Sequence, residues 1–285
     1  MARFWVGGTG SWNDTAHWST TSGGSGGSSV PTSSDPVTFD SSSGGGTCTV
    51  NVASPAMNGL TLSSYTGTLD FANGSPAPTS ITSPTFTDSG TGIHSLLLGA
   101  VTWSITSPSA NIWNASNTNL TLNAGTSTIT FAGSHTASQT VTFASGQTYY
   151  NLILGPNTDA STAYINDSTA ITGTSWTCNN LTINNQCKPV FTNSATITIN
   201  GTMTCTGTST NPCFIQGNTT TTGTSGNPVF TLGGTSSGTW TILLGGFTFA
   251  SNTITFNNSF GSNLNSGTLV INPPSTTSGG GLIIG

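Results

Sequence analysis

Residues that could carry out acid–base or nucleophilic chemistry are scarce in this chain of 285 residues. It has seven Asp and no Glu, three His, and only Arg3 and Lys188 as basic side chains. Hydrolysis of a glycosidic bond needs two carboxyl groups about 5 to 10 Å apart, whereas most of these Asp residues stand in turn-like contexts, where Asp binds backbone N–H groups. No Gly-x-Ser-x-Gly motif lies between a strand and a helix, as a nucleophile elbow requires. We therefore expect a protein that is not an enzyme and needs no cofactor.

The cysteines could bind a metal, form disulfides or pack in a core. They are Cys48, Cys178, Cys187, Cys205 and Cys213. None forms a Cys-x-x-Cys pair and the histidines lie far from them in the sequence, whereas zinc ligands are normally closely paired. Cys48 alternates with Val50 and Val52, as residues on one face of a strand do. The sequence therefore predicts core cysteines and no metal site, with one or more disulfides as the alternative.

The low charge excludes several classes of partner. Charged residues make up 3% of the chain, and its net charge is −5. Two basic side chains cannot neutralise the roughly six to ten phosphates that a nucleic-acid-binding protein contacts. No apolar run approaches the about 20 residues of a transmembrane helix, and the first residues show no apolar core of a secretory signal. We expect binding to neither nucleic acid nor membrane, and release from the cell by a route such as lysis.

Apolar and polar residues alternate with a period of two along much of the chain, as in Thr128–Phe131, Thr140–Phe143 and Thr196–Ile199. This period indicates strands with one buried face. Gly, Asn, Ser and Pro separate the short runs, as turns require. No segment shows the 3.6-residue period of a helix, so the sequence predicts an all-β fold with almost no helix.

A loose repeat of about thirty residues favours a β-solenoid, or parallel β-helix. Short apolar segments recur at Leu60, Leu120, Leu152, Leu181, Phe214, Leu243 and Leu269. In such a fold each coil stacks its backbone on the next, and outward positions suit Thr, which is β-branched and stays hydrated. We predict roughly eight coils over 46–271, after a capping module at 1–45 and before an extended arm at 272–285. An antiparallel sandwich or jelly roll is the alternative, because alternation alone is common to both.

The N-terminal segment carries the most specific motif of the chain. It begins with Trp5-Val6-Gly7-Gly8, continues with two further tryptophans and a Pro-x-x-x-Asp, and ends in a Val-x-Phe strand. Three tryptophans among tight glycines predict packing over the open end of a solenoid, and a carbohydrate platform is the alternative. The residues predicted to build this structural cap are Trp5, Gly7, Gly8, Trp12, Trp18, Pro31, Asp35 and Phe39.

This motif resembles a module at the start of β-helical repeat proteins from bacteriophage virions and bacterial surfaces, and Thr177–Asn185 resembles their repeat unit. The resemblance covers about forty residues well and implies a structural virion protein. We expect a capsid decoration or cement protein on the outer surface of the capsid. Its expected partners are the major capsid protein of the same virion and further copies of itself, as a homotrimer. A tail fibre or tailspike that binds host polysaccharide, or an extracellular bacterial adhesin, is the alternative.

Overall fold

The structure is a computed structural model of the chain. It describes residues 1–88, 90–107, 111–133, 139–157, 168–173, 175–184, 188–191, 196–201 and 203–205, and beyond these five short strands. One 3-10 helix, Thr15–His17, occurs in these residues. No helix in this part of the chain is long and apolar enough to cross a membrane.

Twenty-six strands make up the fold in the described residues. In chain order they are β1 (Arg3–Trp5), β2 (Gly10–Ser11), β3 (Trp18–Ser19), β4 (Val37–Asp40), β5 (Thr47–Thr49), β6 (Leu60–Ser63), β7 (Thr68–Asp70), β8 (Ser80–Thr82), β9 (Phe86–Asp88), β10 (His94–Leu97), β11 (Thr102–Ile105), β12 (Asn111–Ala115), β13 (Leu120–Asn123), β14 (Thr128–Gly133), β15 (Gln139–Phe143), β16 (Gln147–Asn157), β17 (Ser168–Thr172), β18 (Ser175–Ile183), β19 (Lys188–Phe191), β20 (Thr196–Ile199), β21 (Met203–Cys205), β22 (Gln216–Gly217), β23 (Val229–Leu232), β24 (Ser236–Gly238), β25 (Trp240–Leu243) and β26 (Leu269–Asn272).

Most of these strands stack into three long, mainly parallel sheets, and β25 and β26 form a separate two-stranded sheet. The first sheet has the order β22-β19-β17-β15-β12-β9-β6-β4-β1-β3, the second β13-β10-β7-β5-β2, and the third β23-β20-β18-β16-β14-β11-β8 with β21 and β24 beside it. Among the described strands only β1 and β3 pair antiparallel. The prediction of an all-β solenoid is confirmed, and the antiparallel sandwich is wrong.

Three successive turns visit the three sheets in the same order, and from β15 to β20 the strands alternate between the first and third sheets. The strands β6, β7 and β8 form one turn, and β9 to β11 and β12 to β14 form the next two. Five turns separate Val37 from Ile171, which lie in one inward column of the first sheet. That column, read through its paired positions, is Val37, Leu60, Phe86, Trp113, Val141 and Ile171.

The turns differ in length, and this corrects the interpretation of the repeat. Leu60 pairs with Phe86, 26 residues later, whereas Val141 pairs with Ile171, 30 residues later. Leu152 and Leu181 are true register partners. In contrast, Leu60 lies in the first sheet and Leu120 in the second, so the recurring apolar segments do not mark one position of the coil. The predicted count of eight coils and the predicted arm at 272–285 extend outside the described residues.

Large apolar side chains fill the interior. The largest fully buried ones include Trp103, Trp113, Phe86 and Tyr65, and burial of each stabilises the fold by about 1.5 to 3 kcal/mol relative to exposure. Cys48 and Cys178 belong to this core and are free thiols, which confirms core packing for these two residues. The side chains of Cys187, Cys205 and Cys213 lie outside the described part of the chain.

Candidate functional site

The N-terminal tryptophans form one buried aromatic cluster. Trp5 and Trp18 are completely buried and Trp12 is 1% exposed. The ring centroids of Trp12 and Trp18 are 4.8 Å apart, and those of Trp5 and Trp18 are 5.1 Å apart, both edge to face. Phe39 lies beneath them, with its centroid 5.7 Å from that of Trp5. Buried faces cannot stack on a sugar, so these three rings do not form the alternative carbohydrate platform.

Hydrogen bonds also satisfy two of the indole N–H groups of this cluster. Trp18 Nε1 donates to the carbonyl of Trp12 at 2.6 Å, and Trp5 Nε1 donates to the carbonyl of Gly8 at 2.8 Å. Buried indole N–H groups need such acceptors, because an unpaired donor in the core is costly. The main chain of the module is therefore folded around its own tryptophans.

His17 belongs to the cluster, and the predicted set of cap residues lacks it. Its ring stacks on Trp5, with centroids 4.7 Å apart and planes 12° apart, and its Nδ1 lies 2.8 Å from the Val6 carbonyl. A Cβ added to Gly10 would overlap the His17 ring. Gly7 and Gly8 have φ values of 83° and 74°, in the left-handed region that glycine favours. The only signal in the sequence was the position of His17 directly before Trp18.

Two further predicted cap residues, Pro31 and Asp35, precede β4, and both are buried. Asp35 accepts hydrogen bonds from the backbone N–H of Thr32 at 2.9 Å and from its hydroxyl at 2.7 Å. The amino group of Met1 contacts the same carboxylate at 2.7 Å, and Arg3 lies 3.8 Å away. The ammonium group of Met1 and the hydroxyl of Thr32 outweigh burial and hold the pKa of Asp35 well below its usual range.

The module is continuous with the solenoid. Arg3 in β1 pairs with Val37 in β4, and Gly10 in β2 pairs with Cys48 in β5. The module therefore belongs to the same sheets as the coils: β1 and β3 lie at the end of the first sheet, β2 lies at the end of the second, and β4 pairs onward with β6. The eight predicted cap residues lie in these strands or in the loops that connect them.

Polar side chains form regular columns on the outside of the coil, which we call the polar columns. Their members are paired from turn to turn and are at least partly exposed. The column on the first sheet is Thr38, Thr61, Thr87, Asn114, Thr142 and Thr172. The column on the second sheet is Thr47, Thr68, Ser95 and Thr121. The third sheet carries two, Ser80-Thr102-Thr128-Asn151-Asn180 and Thr82-Ser104-Thr130-Ile153-Thr182.

Hydrogen bonds between turns connect several members of the polar columns. Asn180 Nδ2 donates to Asn151 Oδ1 at 2.7 Å, and Asn151 Nδ2 donates to the Thr128 hydroxyl at 3.0 Å. The hydroxyls of Thr172 and Thr142 bond at 2.8 Å on the first sheet. Every column consists of hydroxyl and amide side chains apart from Ile153, so the columns present neutral polar groups spaced by the about 4.8 Å between strands.

The described carboxylates stabilise turns or form ion pairs. Asp14 and Asp40 accept from the backbone N–H two residues later, at 2.9 and 2.8 Å. Asp70 binds the backbone N–H groups of Ala72 and Asn73 and the Asn73 side chain. Asp88 is different, because it is buried against His94. Asp159 and Asp167 lie outside the described residues.

Comparison of the chain with protein-family models, curated proteins and solved structures finds no match.

Proposed function

We propose that this chain is a structural bacteriophage virion protein that decorates the outer surface of the capsid and binds between capsomers as a cement. Two observations support the proposal. The N-terminal motif resembles that of β-helical virion proteins, and the solenoid presents uncharged polar columns along its sheets. The proposed mode of attachment to capsomers rests on the second observation, the uncharged polar columns.

A neutral polar face is suited to permanent contact with another protein. Burying an ion pair at an interface costs several kcal/mol of desolvation for each ion, which the attraction regains only with excellent geometry. Removing a hydroxyl or amide group from water costs less free energy than removing an ion. Each of these groups can also both donate and accept hydrogen bonds. Attachment through the polar columns would therefore be insensitive to salt.

The β-branched side chains of the columns also favour a defined contact. Thr has a restricted χ1 angle, and each strand places its Thr at a register position shared with the strands above and below, as Thr38, Thr61 and Thr87 do. Little side-chain entropy is lost when such a surface is covered. Shape matching to capsomers, rather than ion pairing, would give the specificity.

In this proposal the aromatic cluster is the structural cap of the coil. Trp12 and Trp18 pack against Phe39, a buried residue of β4. They cover apolar surface that the end of a solenoid would otherwise expose, and exposed sheet ends invite edge-to-edge association. The partners would be the major capsid protein and two further copies of this chain in a homotrimer.

The test is binding of the purified protein to capsids that lack it, measured by co-sedimentation from about 0.01 to about 1 M NaCl, over which the Debye length falls from about 30 to about 3 Å. We expect binding that changes little with salt and capsids that withstand higher temperature. Ser104→Lys places a charge in a polar column and should weaken binding at least about tenfold, or about 1.4 kcal/mol.

Thr118→Lys is the matched control, because Thr118 is an exposed residue of the corner between β12 and β13 and lies in no polar column. It should bind as the wild type does. Absence of binding to capsids, or binding that is lost at high salt, would contradict the cement proposal. Retention on a polysaccharide column in place of capsid binding would favour the receptor-binding alternative.

A further inference from the structure

Asp88 and His94 form a buried ion pair inside the coil. Asp88 ends β9 and His94 begins β10, so the two residues bracket the corner between the first and second sheets. His94 Nε2 lies 2.9 Å from Asp88 Oδ2, and both side chains are 0% exposed. The other described ion pairs, those of Asp35 and of His17 with Asp14, have at least one partly exposed partner.

Both ring nitrogens of His94 face acceptors. Nδ1 lies 3.0 Å from the carbonyl of Gly92, opposite the contact of Nε2 with Asp88. A neutral imidazole carries one N–H and could satisfy only one of these acceptors, whereas the imidazolium ion donates to both. The geometry therefore matches a charged His94 in the interior.

Asn117 connects this pair to the following turn. Its Nδ2 donates to Asp88 Oδ1 at 3.1 Å and to the Gly92 carbonyl at 3.0 Å, and its backbone N–H donates to the Asp88 carbonyl at 3.1 Å. Both carboxylate oxygens of Asp88 thus have partners, one on its own corner and one on the next coil.

We propose that Asp88, His94 and Asn117 form a pH-sensitive latch, which holds the corner between β9 and β10 against the next turn and opens as the pH rises. When His94 loses a proton, one of its ring nitrogens no longer carries an N–H to donate to the acceptor that faces it. The positive charge beside buried Asp88 disappears at the same time. An uncompensated buried charge is strongly destabilising, so the corner would separate from Asn117 and admit water.

The direction of the pH effect follows from the pKa of His94. Burial opposes the charged form, but the hydrogen bond and negative charge of Asp88, with the carbonyls of Gly92 and Tyr65, raise the pKa above its ordinary value of 6.5. A raised pKa in the folded state means that the stabilisation is complete below the unfolded value and is lost as the pH rises through the folded value. The latch is therefore fully closed below about pH 6.5 and opens as the pH rises through the raised pKa of His94.

The groups packed around the latch do not titrate in the same range. Tyr65, on the preceding turn, has its ring 6.0 Å from that of His94, and the charge of Asp88 also acts on Tyr149. Burial raises the pKa of both phenols above 10. The basic groups whose contacts the structure describes, Arg3 and the N-terminal amine, interact with Asp35.

The experiment is thermal unfolding of the full chain between about pH 6 and about pH 9. The melting temperature of the wild type should fall with rising pH by about 3 °C or more. His94→Gln should melt lower at pH 6 and lose this pH dependence, whereas His17→Gln, the matched control at a histidine that is not fully buried, should retain it. An unchanged wild-type melting temperature, or an equal slope in His94→Gln, would overturn the proposal.

NMR of the wild type provides a test that does not depend on the folding of a variant. At about pH 6 His94 should show two slowly exchanging ring N–H signals, one on each nitrogen. On raising the pH, one signal should vanish together with the protection of the Asn117 backbone amide from hydrogen exchange. A single ring N–H signal of His94 at pH 6 would refute the latch.

Discussion

At the scale of single residues, one histidine explains why position 10 of the N-terminal module is a glycine. The ring of His17 occupies the space that a side chain on Gly10 would need, and it stacks on Trp5. The motif shows glycines and tryptophans at set positions, but only the structure shows that an imidazole lies between them. The requirement for Gly10 is therefore steric, since its φ is not in the left-handed region.

Gly10→Ala should destabilise the protein by about 1 to 3 kcal/mol, because the added methyl group forces the His17 ring off Trp5 in a close-packed site. The free energy of unfolding, measured by urea denaturation, checks this. Gly45→Ala is the control, since a Cβ there would lie 3.6 Å from the Thr66 hydroxyl, at ordinary contact distance. Equal effects of the two substitutions would contradict the steric explanation.

At the scale of elements, β4 joins the N-terminal module to the coils. Its Thr38 points outward in a polar column, and its Phe39 points inward beneath the tryptophans. Phe39 also contacts Tyr65 on the next turn, with ring centroids 5.1 Å apart. One strand thus supports both the aromatic cluster and the second coil, so loss of its aromatic side chain should loosen both.

Phe39→Ala should lower the free energy of unfolding by about 3 to 5 kcal/mol, the usual cost of removing a buried aromatic ring and leaving a cavity. Phe4→Ala, on the neighbouring strand β1, removes the same atoms from a partly exposed position and should cost much less. Chemical denaturation with tryptophan fluorescence measures both. A loss in Phe39→Ala no larger than that in Phe4→Ala would show that the cluster does not stabilise the coil.

At the scale of the whole molecule, backbone pairing and apolar burial dominate and charge contributes little. The first sheet alone contains ten strands in continuous hydrogen-bonded order, and the apolar core extends from Trp5 to Ile199. Because only 3% of the residues are charged, few long-range interactions between charges contribute to the stability of the fold. The thermal stability of the isolated protein should therefore depend weakly on ionic strength.

The melting temperature at about pH 6 should change by less than about 3 °C between 0.01 and 1 M NaCl, because the Asp88–His94 pair is shielded from the screening ions and the other described pairs are few. Differential scanning calorimetry measures this. A fall of about 10 °C or more at high salt would mean that surface ion pairs stabilise the fold.

The amino-acid sequence by itself determined the class of structure and the side of each strand that faces inward. Alternation is a local property with a period of two, so Leu60, Thr61 and Leu62 could be assigned to opposite faces without knowing their neighbours. The scarcity of charge and the N-terminal aromatic motif were equally visible. Alternation predicted an all-β fold, the outward Thr and the buried position of Cys48, and the loose repeat of about thirty residues favoured the solenoid over a sandwich.

Only the tertiary structure decided which residues meet across turns. Partners lie 26 residues apart at Leu60 and Phe86 but 30 apart at Val141 and Ile171. Strands and the connections between them vary in length from turn to turn, so no fixed period in the sequence could reveal the polar columns. The contacts among Asp88, His94 and Asn117 have the same origin, since Asn117 reaches them from the next coil. Alternation sets the face of each side chain, whereas register depends on how successive turns pack.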